Sequence, residues 1–180
     1  MSTQPTPTTE ATEAAAYDFL VGRTDLKTHK FVDHGTSDDI DLSEGEILVK
    51  VDAFAFTANN VTYAVAGDFM NYWGFFPAED GWGRVPVWGF GDVVRSNCAD
   101  IAVGERLYGY YPMSTHLVMK PTRVKDLGFV DGAVHRQELH AVYNQYTRVA
   151  ADPGYDAATE DLQMNVNVTS IGVATPAVPG

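Results

Sequence analysis

Cysteine is almost absent from the sequence, which contains only Cys98 among its 180 residues. A single cysteine excludes an intramolecular disulfide and disfavours a zinc site built from cysteines. Cys98 lies in the polar stretch SNCAD (96–100), which has turn composition. We therefore expect Cys98 to be a small residue in a surface turn rather than a nucleophile with a lowered pKa.

Basic residues are also scarce, because 12 Lys and Arg stand against 24 Asp and Glu and give a formal net charge of -12. So acidic a chain repels phosphate backbones and anionic lipid headgroups. The composition therefore predicts neither a nucleic-acid partner nor a membrane-surface partner.

Long apolar runs are missing as well. No stretch approaches the roughly 18 consecutive apolar residues of a membrane span, and no basic segment followed by an apolar run opens the chain. We therefore predict neither a membrane span nor a signal peptide, and a cytoplasmic location.

Both ends of the sequence lack the composition of a packed core. Residues 1–16 contain almost no large apolar side chain, so burial cannot offset the entropy of ordering them, and we predict a disordered tail. Residues 165–180 carry no charge and end in prolines, which predicts either a loose tail or an added edge strand. The folded domain is expected to span residues 17–164.

The clearest β signal is the stretch VPVWGFGDVVRSNCADIAVGERLYGYY (85–111), which is two β-like runs joined by a polar turn. Gly89 and Gly91 interrupt the first run, as glycines do at a bulge or at a close approach of another backbone. Gly104 is expected at a positive φ between the runs. Such a pattern predicts a mainly β chain with a few helices, built as a barrel.

Another strand is predicted from EILVKVDAFAF (46–56), in which apolar and polar residues alternate. Alternation with a period of two residues is typical of a strand in a sheet that has one face exposed to solvent. The residues predicted to share the inward face are Ile47, Val49, Val51, Ala53 and Ala55.

One amphipathic helix is predicted near the C terminus, over Val134 to Ala150. Five apolar residues there recur at helical spacing, and Asp152-Pro153-Gly154 would stop the run. These five residues are Leu139, Val142, Tyr143, Tyr146 and Val149.

Aromatic residues and glycines concentrate between Asn71 and Trp88. A long aromatic loop over a barrel either plugs the end of the barrel or lines a ligand cleft. The sequence leaves both interpretations open.

Three phrases of the sequence together resemble a known family. LSEGEILVKVDAFAFTANNVTY (42–63), PVWGFGDVVRS (86–96) and IAVGERLYGY (101–110) resemble the N-terminal GroES-like domain of the medium-chain dehydrogenase/reductase superfamily. Within that superfamily the chain is most similar to an uncharacterised family of quinone-oxidoreductase-like proteins. The resemblance covers about Tyr17 to Met164 and implies a GroES-like, partly open β-barrel.

Two departures from the superfamily pattern indicate which type of superfamily member this sequence resembles. Where zinc-dependent members have a cysteine and a Gly-His-Glu, this sequence has TANN (57–60) and WGFG (88–91). The resemblance therefore implies a zinc-free type that binds no metal.

The second departure is the missing nucleotide-binding pattern. No Gly-x-Gly-x-x-Gly follows a strand, since GWG (81–83) and GFG (89–91) lack the third glycine and the helix after it. The chain is thus expected to be a substrate-side domain, truncated or specialised, that binds no cofactor alone and is inactive alone. NAD(P)H is implied only for full-length relatives.

The resemblance also implies site residues after the first long strand. Thr57, Asn60 and Tyr63 would be catalytic, with Asn60 bonding a carbonyl or ribose hydroxyl and Tyr63 donating to a developing oxyanion. The substrate-binding residues would be Tyr72, Trp73 and Trp88. The competing interpretation makes Asn60 a turn residue and the aromatic residues ordinary packing.

An alternative function is a non-enzymatic small-barrel domain for ligand binding or protein interaction. Without a nucleotide-binding domain, the helix carrying Tyr143 and Tyr146 would expose a former domain interface. This predicts a homodimer or a partner chain on that surface.

Overall fold

The structure is a computed structural model and describes residues 15–160. Within them lie ten strands and one α-helix, α1 (Ala58–Val65). The strands are β1 (Ala15–Gly22), β2 (His29–Thr36), β3 (Ile47–Ala55), β4 (Trp82–Gly83), β5 (Pro86–Ser96), β6 (Arg106–Pro112), β7 (His116–Met119), β8 (Pro121–Lys125), β9 (Gly128–Asp131) and β10 (Gln145–Arg148). The short 3-10 turns are Ser37–Asp39, Tyr72–Phe75, Val134–Arg136, Ala141–Asn144, Val149–Ala151 and Ala157–Thr159.

Seven of these strands form one curled antiparallel sheet in the order β7-β3-β5-β6-β10-β9-β8. The other three form a second sheet in the order β2-β1-β4. The prediction of a mainly β, partly open barrel with few helices is confirmed. No helix between Ala15 and Glu160 is long and apolar enough to cross a membrane.

The β5–β6 pair confirms the strand pair predicted for residues 85–111, with a register from Pro86 opposite Pro112 to Asp92 opposite Arg106. Gly104 has a φ of 91°, as predicted for the turn between the strands. At Gly89 a Cβ atom would lie 2.3 Å from the carbonyl oxygen of Ala53 on β3, so only glycine permits this approach of the two backbones.

A bulge divides β3 into two halves that face opposite sides. The register with β5 shifts between Val51 and Ala53, and a one-residue slip moves the following side chains to the other face. Ile47, Val49 and Val51 therefore pack in one core, whereas Ala53 packs in another. The prediction of a single inward face along the whole strand is wrong beyond the bulge.

The central strands form a wall between these two cores. On β5, Val87 and Val93 face the first core, which lies inside the curl, and Trp88 and Phe90 face the second. The residues of β6 alternate in the same way, because Leu107 and Tyr111 lie in the first core and Tyr108 and Tyr110 in the second. The second core, rich in aromatic rings, carries the candidate site.

The amphipathic helix predicted for 134–150 is wrong. Two 3-10 turns, Val134–Arg136 and Ala141–Asn144, occupy this segment and are followed by β10. Tyr146 pairs with Phe129 on β9, and Thr147 pairs with Tyr108 on β6. Pairing with two distant strands satisfies this backbone in place of helical hydrogen bonds.

The predicted tails lie mostly outside the described residues. Of the N-terminal tail predicted for residues 1–16, Ala15 and Ala16 belong to β1, and Ala16 is buried. The tail or edge strand predicted for residues 165–180 falls wholly outside the described part.

Candidate functional site

The candidate site is a group of aromatic side chains on the outer face of the β5–β6 wall. We call it the tyrosine cluster; its members are Tyr63, Tyr72, Trp88, Tyr110 and Tyr143. Tyr63, Tyr72 and Tyr143 are partly exposed, whereas Trp88 and Tyr110 lie beneath them and are buried. The cluster therefore has a solvent-facing rim and an apolar floor.

The rings of the cluster contact one another directly. The ring centroids of Tyr63 and Tyr72 are 4.7 Å apart, and those of Tyr110 and Tyr143 are also 4.7 Å apart. The Trp88 ring lies 5.1 Å from Tyr110 and 5.9 Å from Tyr143. These separations are typical of aromatic pairs that attract one another beyond their burial.

Each partly exposed ring is held by a different short element. Tyr63 lies on α1, and Tyr72 begins the turn Tyr72–Phe75, entered through Asn71 in the left-handed region at φ 56°. Tyr143 lies on the turn Ala141–Asn144, where the side chain of His140 accepts a hydrogen bond from the N–H of Val142. The fold thus brings the turn that carries Tyr143 against α1 and the turn Tyr72–Phe75, both of which are distant from it in sequence.

Three phenols of the cluster, those of Tyr63, Tyr110 and Tyr143, are stabilised in their neutral form. Burial raises the pKa of Tyr63, although the neighbouring indole of Trp88 opposes part of this shift. Burial likewise raises the pKa of Tyr110 and of Tyr143. A neutral phenol donates a hydrogen bond, so the cluster presents hydrogen-bond donors rather than negative charge at neutral pH.

The hydroxyl of Tyr110 at the floor of the cluster has no hydrogen-bond partner among the described residues. Leaving a buried hydroxyl unpaired costs about 1–3 kcal/mol. Because most buried polar groups in proteins are paired, the Tyr110 hydroxyl calls for an explanation, and a hydrogen bond to a water molecule or a ligand would supply one.

A buried arginine supports the cluster from behind. Arg136 donates to the carbonyl oxygen of Phe75 at 3.2 Å and to the phenol oxygen of Tyr146 at 3.0 Å. The hydroxyl of Tyr146 in turn donates to the carbonyl oxygen of Tyr110. Arg136 thus ties the turn that carries Tyr72 to the strand that carries Tyr110.

Of the six site residues predicted from the sequence, the structure brings Tyr63, Tyr72 and Trp88 together. Thr57 and Asn60 instead form a capping box at the start of α1. Asn60 accepts from the N–H of Thr57 at 2.6 Å and donates to the carbonyl oxygen of Pro86 at 2.8 Å. Because Asn60 is 2% exposed and both ends of its amide are in use, its geometry is that of a structural cap.

Trp73 is separated from the cluster although it follows Tyr72 in sequence. Its ring packs in a third core with Val21, Ala64 and Val85. A Cβ atom at Gly83 would lie 2.5 Å from the Trp73 ring, so this glycine makes room for the indole.

Sequence reasoning missed Tyr110 and Tyr143 as members of the site. The alternation along RLYGYY (106–111) could have placed Tyr108 and Tyr110 on one face of a strand. Tyr143 was assigned instead to a helix with Tyr146, and to an exposed interface. Tyr146 is in fact 1% exposed, whereas Tyr143 is partly exposed, so only Tyr143 of the two can contribute to a surface. The homodimer or partner chain stays a prediction.

Two features of the described residues bear on the predictions for a metal ion and a dinucleotide. No group of three or more His, Cys, Asp or Glu side chains placed to hold a metal occurs between Ala15 and Glu160. The first turn of α1 is closed by Thr57 and Asn60 and contains no glycine, so it does not fit the phosphates of a dinucleotide. The predictions for zinc and NAD(P)H stay predictions.

Comparison with models of protein families gives a match. A family model described as "Protein of unknown function (DUF2855)" matches residues 54–172, well over half of the chain, and so includes every member of the tyrosine cluster. No match to a curated protein was found.

Proposed function

The chain belongs to DUF2855, a family of proteins of unknown function, and from its tyrosine cluster we propose that it is the substrate-side domain of a zinc-free, quinone-oxidoreductase-like reductase. The observation that carries the proposal is the convergence of Tyr63, Tyr72 and Tyr143 at a solvent-facing rim. A cytoplasmic location is part of the proposal and is supported by the low cysteine content of the sequence, since small secreted domains are often rich in disulfides.

The chemistry of the cluster suits a flat, uncharged ligand with carbonyl oxygens. Aromatic rings bind flat rings by stacking and by edge-to-face contact. Neutral phenols donate to carbonyl oxygens, and the guanidinium of Arg136 is already neutralised by Asp131 at 3.0 Å. A quinone meets these requirements, whereas a carboxylate or phosphate would lack a counter-charge in the cluster.

Each residue then has a definite task. The Tyr63 hydroxyl donates a hydrogen bond to a quinone oxygen, and this bond strengthens as negative charge develops there. Tyr72 and Trp88 contact the ring and fix its orientation. The nucleotide that supplies the electrons is assigned to a domain outside residues 15–160, so this chain alone is expected to bind quinone but not to use NAD(P)H.

Binding is tested by titrating the chain with duroquinone and following tryptophan fluorescence. Duroquinone is fully substituted, so the Cys98 thiol cannot add to the ring. We expect saturable quenching that depends on Trp88. The affinity for duroquinone should be about 3- to 10-fold weaker in Tyr63→Phe, because this variant loses one hydrogen bond to the ligand. The matched control Tyr17→Phe lies on a different surface and should bind as wild type. Absence of saturable quenching would contradict the proposal.

A second candidate function is a non-enzymatic ligand-binding domain. It is favoured because Thr57 and Asn60, expected to be catalytic, instead hydrogen-bond each other at the start of α1. The two candidates differ in hydride transfer from 1-benzyl-1,4-dihydronicotinamide, a donor that needs no phosphate-binding loop. A substrate-side reductase domain should accelerate reduction of duroquinone by this donor, more slowly in Tyr63→Phe. Binding without any acceleration would favour the second candidate.

A further inference from the structure

A recess of about 310 Å³ lies beside α1, against the third core. Its lining includes buried members of that core and partly buried residues packed against them, namely Phe19, Val21, Leu26, Ala64, Val85 and Met113. The half-exposed side chains of Phe56 and Val61 complete the apolar lining. The recess is therefore a part of the third core that the side chains of the described residues leave open.

The polar groups of the recess give water little to bind. Among its described lining residues only His29 and Asn60 have polar side chains, and none is Lys, Arg, Asp or Glu. The Asn60 amide is already in use, because it accepts from the N–H of Thr57 and donates to the carbonyl oxygen of Pro86. A buried water molecule needs about two to four polar partners. Water in this recess is therefore poorly held, and an apolar molecule gains affinity by displacing it.

The size of the recess limits its occupant to a small molecule. An apolar cavity of about 150 Å³ accommodates a benzene ring. At about 310 Å³ the recess is about twice this size and has room for about twelve non-hydrogen atoms in a compact arrangement. Pockets that bind small molecules begin at about 300 Å³, so the recess lies at the lower end of their range.

The recess and the tyrosine cluster lie on different sides of α1. Val61 and Ala64 line the recess and are three residues apart, which places them on one side of the helix. Tyr63, a member of the cluster, is about 200° around the helix from Val61. Binding in the recess is therefore independent of the proposed function.

We propose that the recess binds a compact, uncharged, hydrophobic molecule of about ten to twelve non-hydrogen atoms. The third core forms the floor of this site, and Phe56 and Val61 lie against the bound molecule at its mouth. Binding removes their exposed apolar surface, and that of the ligand, from water. A carboxylate or a phosphate is disfavoured, because the lining contains no Lys or Arg and the chain has a net charge of -12.

Camphor is a suitable probe, because it is a compact, uncharged bicyclic ketone of the expected size. Its globular shape does not suit stacking on the flat rings of the tyrosine cluster. The full chain is labelled with ¹³C at its methionine methyl groups, and the resonances are assigned by Met→Leu variants. We expect a saturable shift for Met113, which lines the recess, and none for Met119, which is buried in the first core. A Met113 resonance that does not move would overturn the proposal.

Two tryptophan substitutions on α1 locate the camphor site. Val61→Trp fills the mouth of the recess and should abolish the saturable shift of Met113. The matched control Thr62→Trp is also at an exposed position, but about 100° around the helix from Val61, and should bind camphor as wild type. Tyr63→Phe should also bind camphor as wild type, which separates this site from the tyrosine cluster. Camphor binding that survives Val61→Trp, or that both tryptophan variants lose equally, would reject the recess as the site. Circular dichroism shows that each variant is folded.

A charged analogue tests the preference for an uncharged ligand. Camphorsulfonate keeps the two rings of camphor but carries a negative charge, for which the lining offers no Lys or Arg. At concentrations at which camphor saturates the shift of Met113, camphorsulfonate should cause no saturable shift. Equal binding of the two probes would contradict the proposed ligand class.

Discussion

Arg136 and Asp131 form an ion pair with an N–O distance of 3.0 Å, in which both side chains are 1% exposed. Asp131 also accepts hydrogen bonds from the backbone N–H groups of Lys120 and Ala133. The Arg136 guanidinium lies 4.6 Å from the ring centroid of Phe76. This pair therefore joins the β7–β8 connection to the segments that carry the tyrosine cluster.

Breaking this pair should strongly destabilise the protein. Arg136→Met leaves the Asp131 charge buried without its partner, and such a change costs about 3–5 kcal/mol of unfolding free energy. Urea unfolding measures the loss. The double variant Arg136→Met with Asp131→Asn should recover part of it, because the amide oxygen can still accept from the backbone.

An exposed ion pair provides the control for this prediction. Arg23→Met removes the partner of Asp68, whose side chain is 65% exposed, and should change stability by about 0–1 kcal/mol. If Arg23→Met and Arg136→Met lost the same amount of unfolding free energy, burial would not explain how much the Arg136–Asp131 pair contributes to stability.

Stability should fall as the pH is lowered below about 7. Burial and then the charge of Lys50 lower the pKa of His116, which is 7% exposed. The unfolded chain therefore binds protons at a higher pH than the folded chain, so stability is complete above an unfolded pKa of about 6.5 and declines as the pH falls below it.

His116→Leu tests this account of the pH dependence. The Nε2 atom of His116 is buried without a hydrogen-bond partner among the described residues, and the Nδ1 atom contacts only the Thr115 hydroxyl, at 2.9 Å. Leucine therefore removes one side-chain hydrogen bond and fills the same apolar site. The unfolding free energy changes by at most about 1.4 kcal/mol per pH unit for each proton taken up. His116→Leu should lose the part of this pH dependence that His116 contributes. Urea unfolding between pH 7.5 and 5.5 measures it. An unchanged slope would show that His116 is not a source of the dependence.

Asn60 should contribute to stability rather than to ligand binding. Asn60→Ala removes the cap of α1 and leaves the carbonyl oxygen of Pro86 without its donor, which should cost about 1–3 kcal/mol. Thermal unfolding measures this loss, and duroquinone titration at a temperature where the variant is folded measures affinity. Weaker binding at unchanged stability would restore the catalytic role expected from the sequence.

Local patterns in the sequence predict much of the barrel. The strand pair at 85–111, the positive φ of Gly104 and the close approach at Gly89 all follow from composition and turn chemistry within a few residues. The bulge in β3 was not predictable in this way, because it depends on the register of β3 against β5.

The segment after β9 shows why the candidate site could be predicted only in part. The spacings of three residues between Tyr143, Tyr146 and Val149 fit a helix, but they also fit a 3-10 turn followed by a strand. The choice between these is made by pairing with β6 and β9, which are distant in sequence. For the same reason Tyr63 and Tyr72 were predictable from one loop, whereas their contact with Tyr143 was not.

The central claim, that the tyrosine cluster is a ligand site, is tested most directly by fluorine NMR of the chain labelled with 3-fluorotyrosine. The nine tyrosine resonances are assigned by single Tyr→Phe variants and followed during titration with duroquinone. The account predicts saturable shifts for Tyr63, Tyr72 and Tyr143 and none for Tyr17, which lies on β1 on a different surface. Shifts confined to Tyr17, or no shift at any tyrosine, would contradict it.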